Sequence, residues 1–193
     1  MARTKEFDPD AALQSAMTLF WRRGSEATSM ADLVEYLGIG RASICATFGN
    51  KHELYLKALD RYGETYSAIL FRELSAPGPA LPAVRAVVRR FAAESAAKET
   101  RLTGCFVTNT AAEVGAHDTA AARLVEHAWE QLETLLHAAL VRAGARRTAA
   151  GARPRALARL FLAFMQGMRV MGKVSDDPAR LREAAEAALT LLD

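Results

Sequence analysis

The sequence predicts an all-α fold, and three observations carry that prediction. Alanine contributes 40 of 193 residues, while Phe, Tyr and Trp together contribute 14; an Ala- and Leu-rich chain with few β-branched runs favours helix over sandwich or barrel. Apolar residues recur at helical spacing in segment after segment, and no stretch alternates with period two for long enough to make a strand. Start and stop residues punctuate the chain so as to give about nine helices. The length suffices to bury a core without disulfide or metal staples.

Asp8-Pro9 predicts the first start, a capping carboxylate followed by Pro at the first helical position. Leu13, Ala16, Met17, Phe20 and Trp21 form its apolar stripe, and Arg22-Arg23-Gly24 close it, cations first and glycine last. Ser29 and Asp32 have the spacing of a capping box for a second, short helix carrying Leu33, Val34 and Leu37. Gly38-Ile39-Gly40 stops it, and 41–48 leaves room for two turns. Asn50 caps a long fourth helix carrying Leu54, Ala58, Tyr62, Ile69 and Leu70. It is expected to end near Leu74, because Ala76-Pro77-Gly78-Pro79 is the clearest breaker in the chain.

Further helices are predicted over 81–98, 104–114 and 119–142, the last repeating Val125, Trp129, Leu132, Leu136 and Leu140. A basic, Ala/Gly-rich loop follows over 144–154. Leu157, Leu160, Phe161, Phe164, Met165 and Met168 mark another helix, and Asp177-Pro178 starts a last one that ends near Leu192.

Several function classes are excluded by what the chain lacks. Cys45 and Cys105 lie 60 residues apart, which rules out a disulfide framework and a Cys-rich zinc site and fits a reduced cytoplasm. The N-terminus has basic residues but no apolar run, so no signal peptide is expected, and no apolar stretch approaches the ~18 residues of a membrane span. A soluble cytoplasmic protein is expected. No Ser/His/Asp order, phosphate loop or dinucleotide fingerprint supports catalysis, and no cofactor is implied. Glu113 and His117, and Glu133 and His137, are four residues apart, which suits exposed helix pairs better than a metal site. Met165, Met168 and Met171 read as adaptable packing.

The net charge is only +3, and residues 1–60 carry seven Lys/Arg against eight Asp/Glu. A nucleic-acid reading must therefore rest on local arrangement rather than bulk charge. Such an arrangement exists at 29–48, where a short helix, a glycine turn and a second short helix have the dimensions of a helix-turn-helix. Ile44 and Phe48, four apart, can anchor the second helix. The rest of it, Arg41, Ala42, Ser43, Cys45, Ala46 and Thr47, is mostly short enough to let the backbone approach a major groove. Arg can fork onto guanine, Ser and Thr can contact bases or phosphates, and Ala can meet a thymine methyl. Lys51 and His52 open the next helix, whose free N–H groups form a phosphate site, and Thr28 and Ser29 are expected to help position the backbone.

The run Phe7-Asp8-Pro9 … Leu19-Phe20-Trp21-Arg22-Arg23-Gly24 … Thr28-Ser29-Met30-Ala31-Asp32-Leu33 … Leu37-Gly38-Ile39 … Ser43-Ile44-Cys45-Ala46-Thr47-Phe48-Gly49-Asn50-Lys51 … Leu54-Tyr55 strongly resembles the N-terminal domain of TetR-family transcriptional regulators. The resemblance implies a three-helix DNA-binding domain over 6–63, joined through the fourth helix to a helical ligand-binding and dimerisation domain over 64–193. It implies homodimers on palindromic double-stranded operators, usually repressors released by a small molecule. The family often has Tyr where this chain has Cys45, and that Tyr commonly helps to contact DNA. The segment Gly104-Cys105-Phe106-Val107-Thr108-Asn109 resembles a Gly-Cys helix of one subgroup.

An interior pocket is expected, with Cys105, Thr108 and Asn109 on one helix face and Phe91, Trp129, Phe161 and Met165 as walls. Two small-residue stripes on the last helices are expected to form the dimer interface. One is Ala156, Leu160, Ala163 and Gly167; the other is Ala184, Ala185, Ala188 and Leu192. The competing reading is a helical ligand-binding or interaction protein that has lost DNA binding.

Overall fold

A computed structural model describes residues 7–98, 103–144 and 153–193. Among these residues there are nine α-helices and no strand. They are α1 (Pro9–Arg23), α2 (Met30–Leu37), α3 (Arg41–Phe48), α4 (Lys51–Ser75), α5 (Ala80–Ala96), α6 (Phe106–Glu113), α7 (Thr119–Arg142), α8 (Pro154–Gly172) and α9 (Pro178–Leu189), ending in a 3-10 turn, Thr190–Leu192. Most of the expected 144–154 loop lies outside the described residues. No described helix is long and apolar enough to cross a membrane.

Three of the first four helices, α1, α2 and α4, start where side chains supply the missing acceptors for their N–H groups. Asp8 accepts from Asp10 N at 2.9 Å, and Ser29 and Asn50 form reciprocal capping boxes with Asp32 and Glu53. Those bonds hold the Asp32 carboxyl below the ordinary range, the Ser29 hydroxyl contributing most. Gly38 closes α2 at φ +65, a left-handed position that an L side chain enters only at a cost.

Two helices are shorter than expected. The predicted 81–98 helix stops at Ala96, because Ala97 turns extended. The predicted 104–114 helix begins only at Phe106, because Gly104 takes a positive φ and Cys105 is its extended cap.

Two apolar cores result. The lower one joins α1–α3 and the first half of α4, with Phe20 edge-on to Tyr55 at 5.2 Å. It also takes in Phe106, Val107, Val114, Ala121 and Val125 from α6, α7 and their link. Packing thus crosses the expected boundary at residue 63. Tyr55 fixes the join: its hydroxyl lies 2.7 Å from Thr110 Oγ1, and burial pushes its pKa up to about 12. The upper core packs the second half of α4 against α5, α7, α8 and α9.

Candidate DNA-reading face and interior cavity

Helix α3 sits on the lower core through Ile44 and Phe48, which are buried. That anchoring leaves Arg41, Ala42, Cys45, Ala46 and Thr47 exposed on the opposite side, with Ser43 half-buried beside α1. Ser29, at the start of α2, is exposed, although its hydroxyl is engaged in the cap.

Two expected backbone-positioning residues are corrected. Thr28 is fully buried and its hydroxyl donates to Gly24 O at 2.6 Å, so it braces the α1–α2 loop instead of facing solvent. The Lys51 ammonium donates to Ser25 O at 2.7 Å and Thr28 O at 2.8 Å. It holds the same loop, whose carbonyls have no helical partner. His52 is half exposed, and its Nε2 lies 2.8 Å from Asp118 Oδ2, the cap of α7. Glu113, at the end of α6, accepts from Glu26 N at 2.9 Å, close against Gly24. A Cβ on Gly24 would stand 2.6 Å from that carboxylate. These two contacts tie the three-helix unit to α6 and α7.

A small cavity of about 40 Å³ lies between α4, α5, α6, α7 and α8, room for roughly three waters. Tyr62 and Tyr66 stack at 5.7 Å along it, with Phe91 edge-on to Tyr66 at 5.9 Å, and Trp129 also lines it. Cys105 Sγ, on the wall, accepts from Tyr62 OH at 3.6 Å. Burial, with that sulfur beside it, pushes the Tyr62 hydroxyl well above its ordinary pKa.

Outside the rings lies a charged girdle. Arg169 is 5% exposed, lies 4.6 Å over the Phe91 ring, and donates to Tyr66 OH at 2.7 Å and Glu94 Oε2 at 2.5 Å. Arg90 bonds Glu94 and Glu73, each at 2.7 Å. Burial alone would raise the Glu94 carboxyl, but hydrogen bonds from Arg169 and Arg90 outweigh it and hold the group below the ordinary range.

Of the expected pocket residues, Phe91, Cys105 and Trp129 line this cavity. Thr108 and Asn109 do not: they face a groove against α1, with Thr108 donating to Gln166 at 2.6 Å and Asn109 to Thr103 O at 2.8 Å. Phe161 and Met165 do not either, being fully buried filling of the upper core. The α6 register is the reason, since the helix starts at Phe106 and aims only Cys105 and Val107 inward. Sequence reasoning missed Tyr62, Gly63, Tyr66 and Ser67 as lining. The spacing of Gly63 and Ser67, four apart on the face that also carries the two tyrosines, was the available signal.

The first small-residue stripe is open. Ala156, Leu160 and Ala163 are exposed and Gly167 is half-buried, and the face continues through exposed Val170, Met171 and Val174. The second stripe is corrected: Ala185 and Leu192 are buried in the upper core, and Ala184 and Ala188 are half-buried, Ala188 packing against it. Glu133 pairs with Arg155 and Arg159.

A short helix anchored by two apolar residues, with a clear outer face and a glycine turn before it, defines a helix-turn-helix regulator. Comparison with known proteins specifies the family. Residues 12–58 match the description "Bacterial regulatory proteins, tetR family", and residues 80–187 match "Transcriptional regulator LmrA/YxaF-like, C-terminal domain". The HTH-type transcriptional regulator YezE of Bacillus subtilis (strain 168) is 33% identical over 195 residues, covering 100% of both chains. The HTH-type transcriptional repressor ComR of Escherichia coli (strain K12) is 52% identical over 66 residues, covering 34% of this chain and 31% of that protein. A cysteine mutant of the TetR family transcriptional regulator CifR, complexed with 26-bp operator DNA, superposes with a TM-score of 0.84 at 27% identity, covering 100% of both chains. The chain belongs to the TetR family of bacterial transcriptional regulators.

Proposed function

We propose that the chain is a repressor that binds a palindromic duplex operator as a homodimer and releases it when a small molecule enters the cavity. The carrying observation is the α3 face: Ile44 and Phe48 fix the helix, and the side that remains exposed is small enough to enter a major groove. A regulator of the same fold, CifR, is seen on operator DNA. In this reading residues 6–63 form the DNA-binding unit and 64–193 the effector and dimerisation unit. Arg41, Ala42 and Thr47 face bases or the adjoining backbone, Ser43 lies at the α1 edge of that surface, and Ser29 and His52 flank the phosphates. The exposed α8 stripe from Ala156 to Gly167, extended by Val170 and Met171, supplies the self-complementary surface that a twofold dimer buries. The aromatic cavity around Tyr62, Tyr66, Phe91 and Trp129 receives the effector.

Selection of bound duplexes from a random library tests this reading. The expected product is one inverted-repeat sequence carrying two protomers per site. Recovery of no enriched sequence overturns the regulator reading and favours a helical ligand-binding protein without DNA function.

A further inference from the structure

Four of the five exposed residues on α3, namely Arg41, Ala42, Cys45 and Ala46, form one patch, since 41 and 45, and 42 and 46, are helical neighbours. Three of these side chains are small and apolar or nearly so; a thiol is only a weak hydrogen-bond partner. Ser43 is turned toward α1, and Thr47 lies at the far end of the helix. The middle of the reading face therefore offers a base edge one strong donor, Arg41, and otherwise methyl- or thiol-sized apolar contact.

Only one base carries an apolar group into the major groove, the 5-methyl of thymine. Set against Ala42, Cys45 or Ala46, an A·T pair buries N7, N6 and O4 and a G·C pair buries N7, O6 and N4, so the polar cost is alike and the thymine methyl is what separates the two pairs. Three cations of the same unit are already engaged: Lys51 by Ser25 O and Thr28 O, Arg23 by Asp32, and Arg61 by Asp10.

Resting on the operator-binding reading above, we propose that α3 reads its half-site mainly through thymine methyl groups, contacted by Ala42, Cys45 and Ala46, with Arg41 as the one forked base contact.

The test uses the duplex recovered by selection and the full-length wild-type chain. Each thymine of one half-site is replaced singly by deoxyuridine, which removes the methyl and leaves every hydrogen-bonding group in place. Binding is expected to weaken about fourfold at one to three positions, the effect of losing one buried methyl. Cys45→Ser or Ala46→Ser should abolish the thymine–deoxyuridine difference at the matching position, with unchanged helix content by circular dichroism. A scan that stays flat, within about 1.5-fold at every position, while the chain still selects its sequence overturns this inference alone. Absence of any selected sequence overturns the operator reading and this inference with it.

Discussion

In α1, α2 and α4, the side-chain bonds that start the helices join near neighbours in sequence. Asp8 bonds two residues on, and Ser29 with Asp32 and Asn50 with Glu53 bond three residues on. Around the cavity the partners are distant: Arg169 reaches Glu94 across 75 residues and Tyr66 across 103, and Thr108 reaches Gln166 across 58. The starts of α1, α2 and α4 are thus set by local code, while the α1–α2 loop is braced from farther off, by Lys51 on Ser25 O and Thr28 O and by Glu113 on Glu26 N. The cavity exists only once α4, α5, α6, α7 and α8 have come together. The proposed reading surface and the proposed effector pocket are built on these two different bases.

The largest effect that sharpens this contrast is expected at Glu94. Glu94→Gln keeps the shape but leaves the 95%-buried Arg169 beside Arg90 without its carboxylate. Breaking a buried pair costs about 3–5 kcal/mol, and because Glu94 is one-third exposed the low end, about 3 kcal/mol, is expected in urea unfolding. The pH dependence has a fixed sign. Glu94 is held below the ordinary carboxylate range, so its contribution is present above that range and is lost as pH falls through the lowered value. Glu94→Gln should flatten the acid limb of the stability curve. A variant as stable as wild type, with the same acid limb, would show the girdle to be dispensable.

Lys51 comes next, because sequence and structure assign it different work. A lysine opening a helix reads as a phosphate ligand, yet its ammonium is bonded to Ser25 O and Thr28 O. Lys51→Met should cost about 2 kcal/mol of stability, as for hydrogen bonds made by a charged donor. It should lower operator affinity through the loosened loop while leaving the slope of log K against log salt unchanged. A phosphate contact would instead make that slope shallower by about 0.9.

The same pair of regions explains what was legible in the sequence. The starts at Pro9, Met30, Lys51, Thr119 and Pro178 follow from a capping residue and its neighbours, and the glycine turn before α3 is equally local. The outward face of α3 follows from the spacing of Ile44 and Phe48. Thr28 was misread because its burial is set by the carbonyl of Gly24 and by α4 folding over the loop, neither visible in a four-residue window. Phe161 and Met165 were misread as pocket walls because an apolar stripe does not say which neighbour it meets; α8 turns them into the upper core. The second dimer stripe failed for the same reason, since small residues permit close approach to α5 as well as to another subunit.

A smaller effect is expected for a single local cap. Ser29→Ala removes the acceptor for Asp32 N at 3.1 Å and one partner of the Asp32 carboxylate. About 1 kcal/mol is the usual cost of losing such a cap, readable in thermal unfolding, and the cavity should bind the same ligands with unchanged affinity. Altered ligand affinity would mean that the two regions are coupled through the start of α2.

The smallest effect is expected where the regions meet. His52 Nε2 and Asp118 Oδ2 are 2.8 Å apart, but His52 is half exposed, and exposed ion pairs contribute little in water. Asp118 keeps its bonds to Ala120 N and Ala121 N at 3.1 and 3.0 Å whether or not the imidazole is present, so the start of α7 survives its loss. The Glu113 bond to Glu26 N still holds α6 against the three-helix unit. His52→Ala should therefore change stability by no more than about 0.5 kcal/mol. A loss above about 1.5 kcal/mol would mean that this contact docks the reading unit on the cavity helices. In that case the local and long-range parts of the molecule would fold as one cooperative unit, with His52 at its joint.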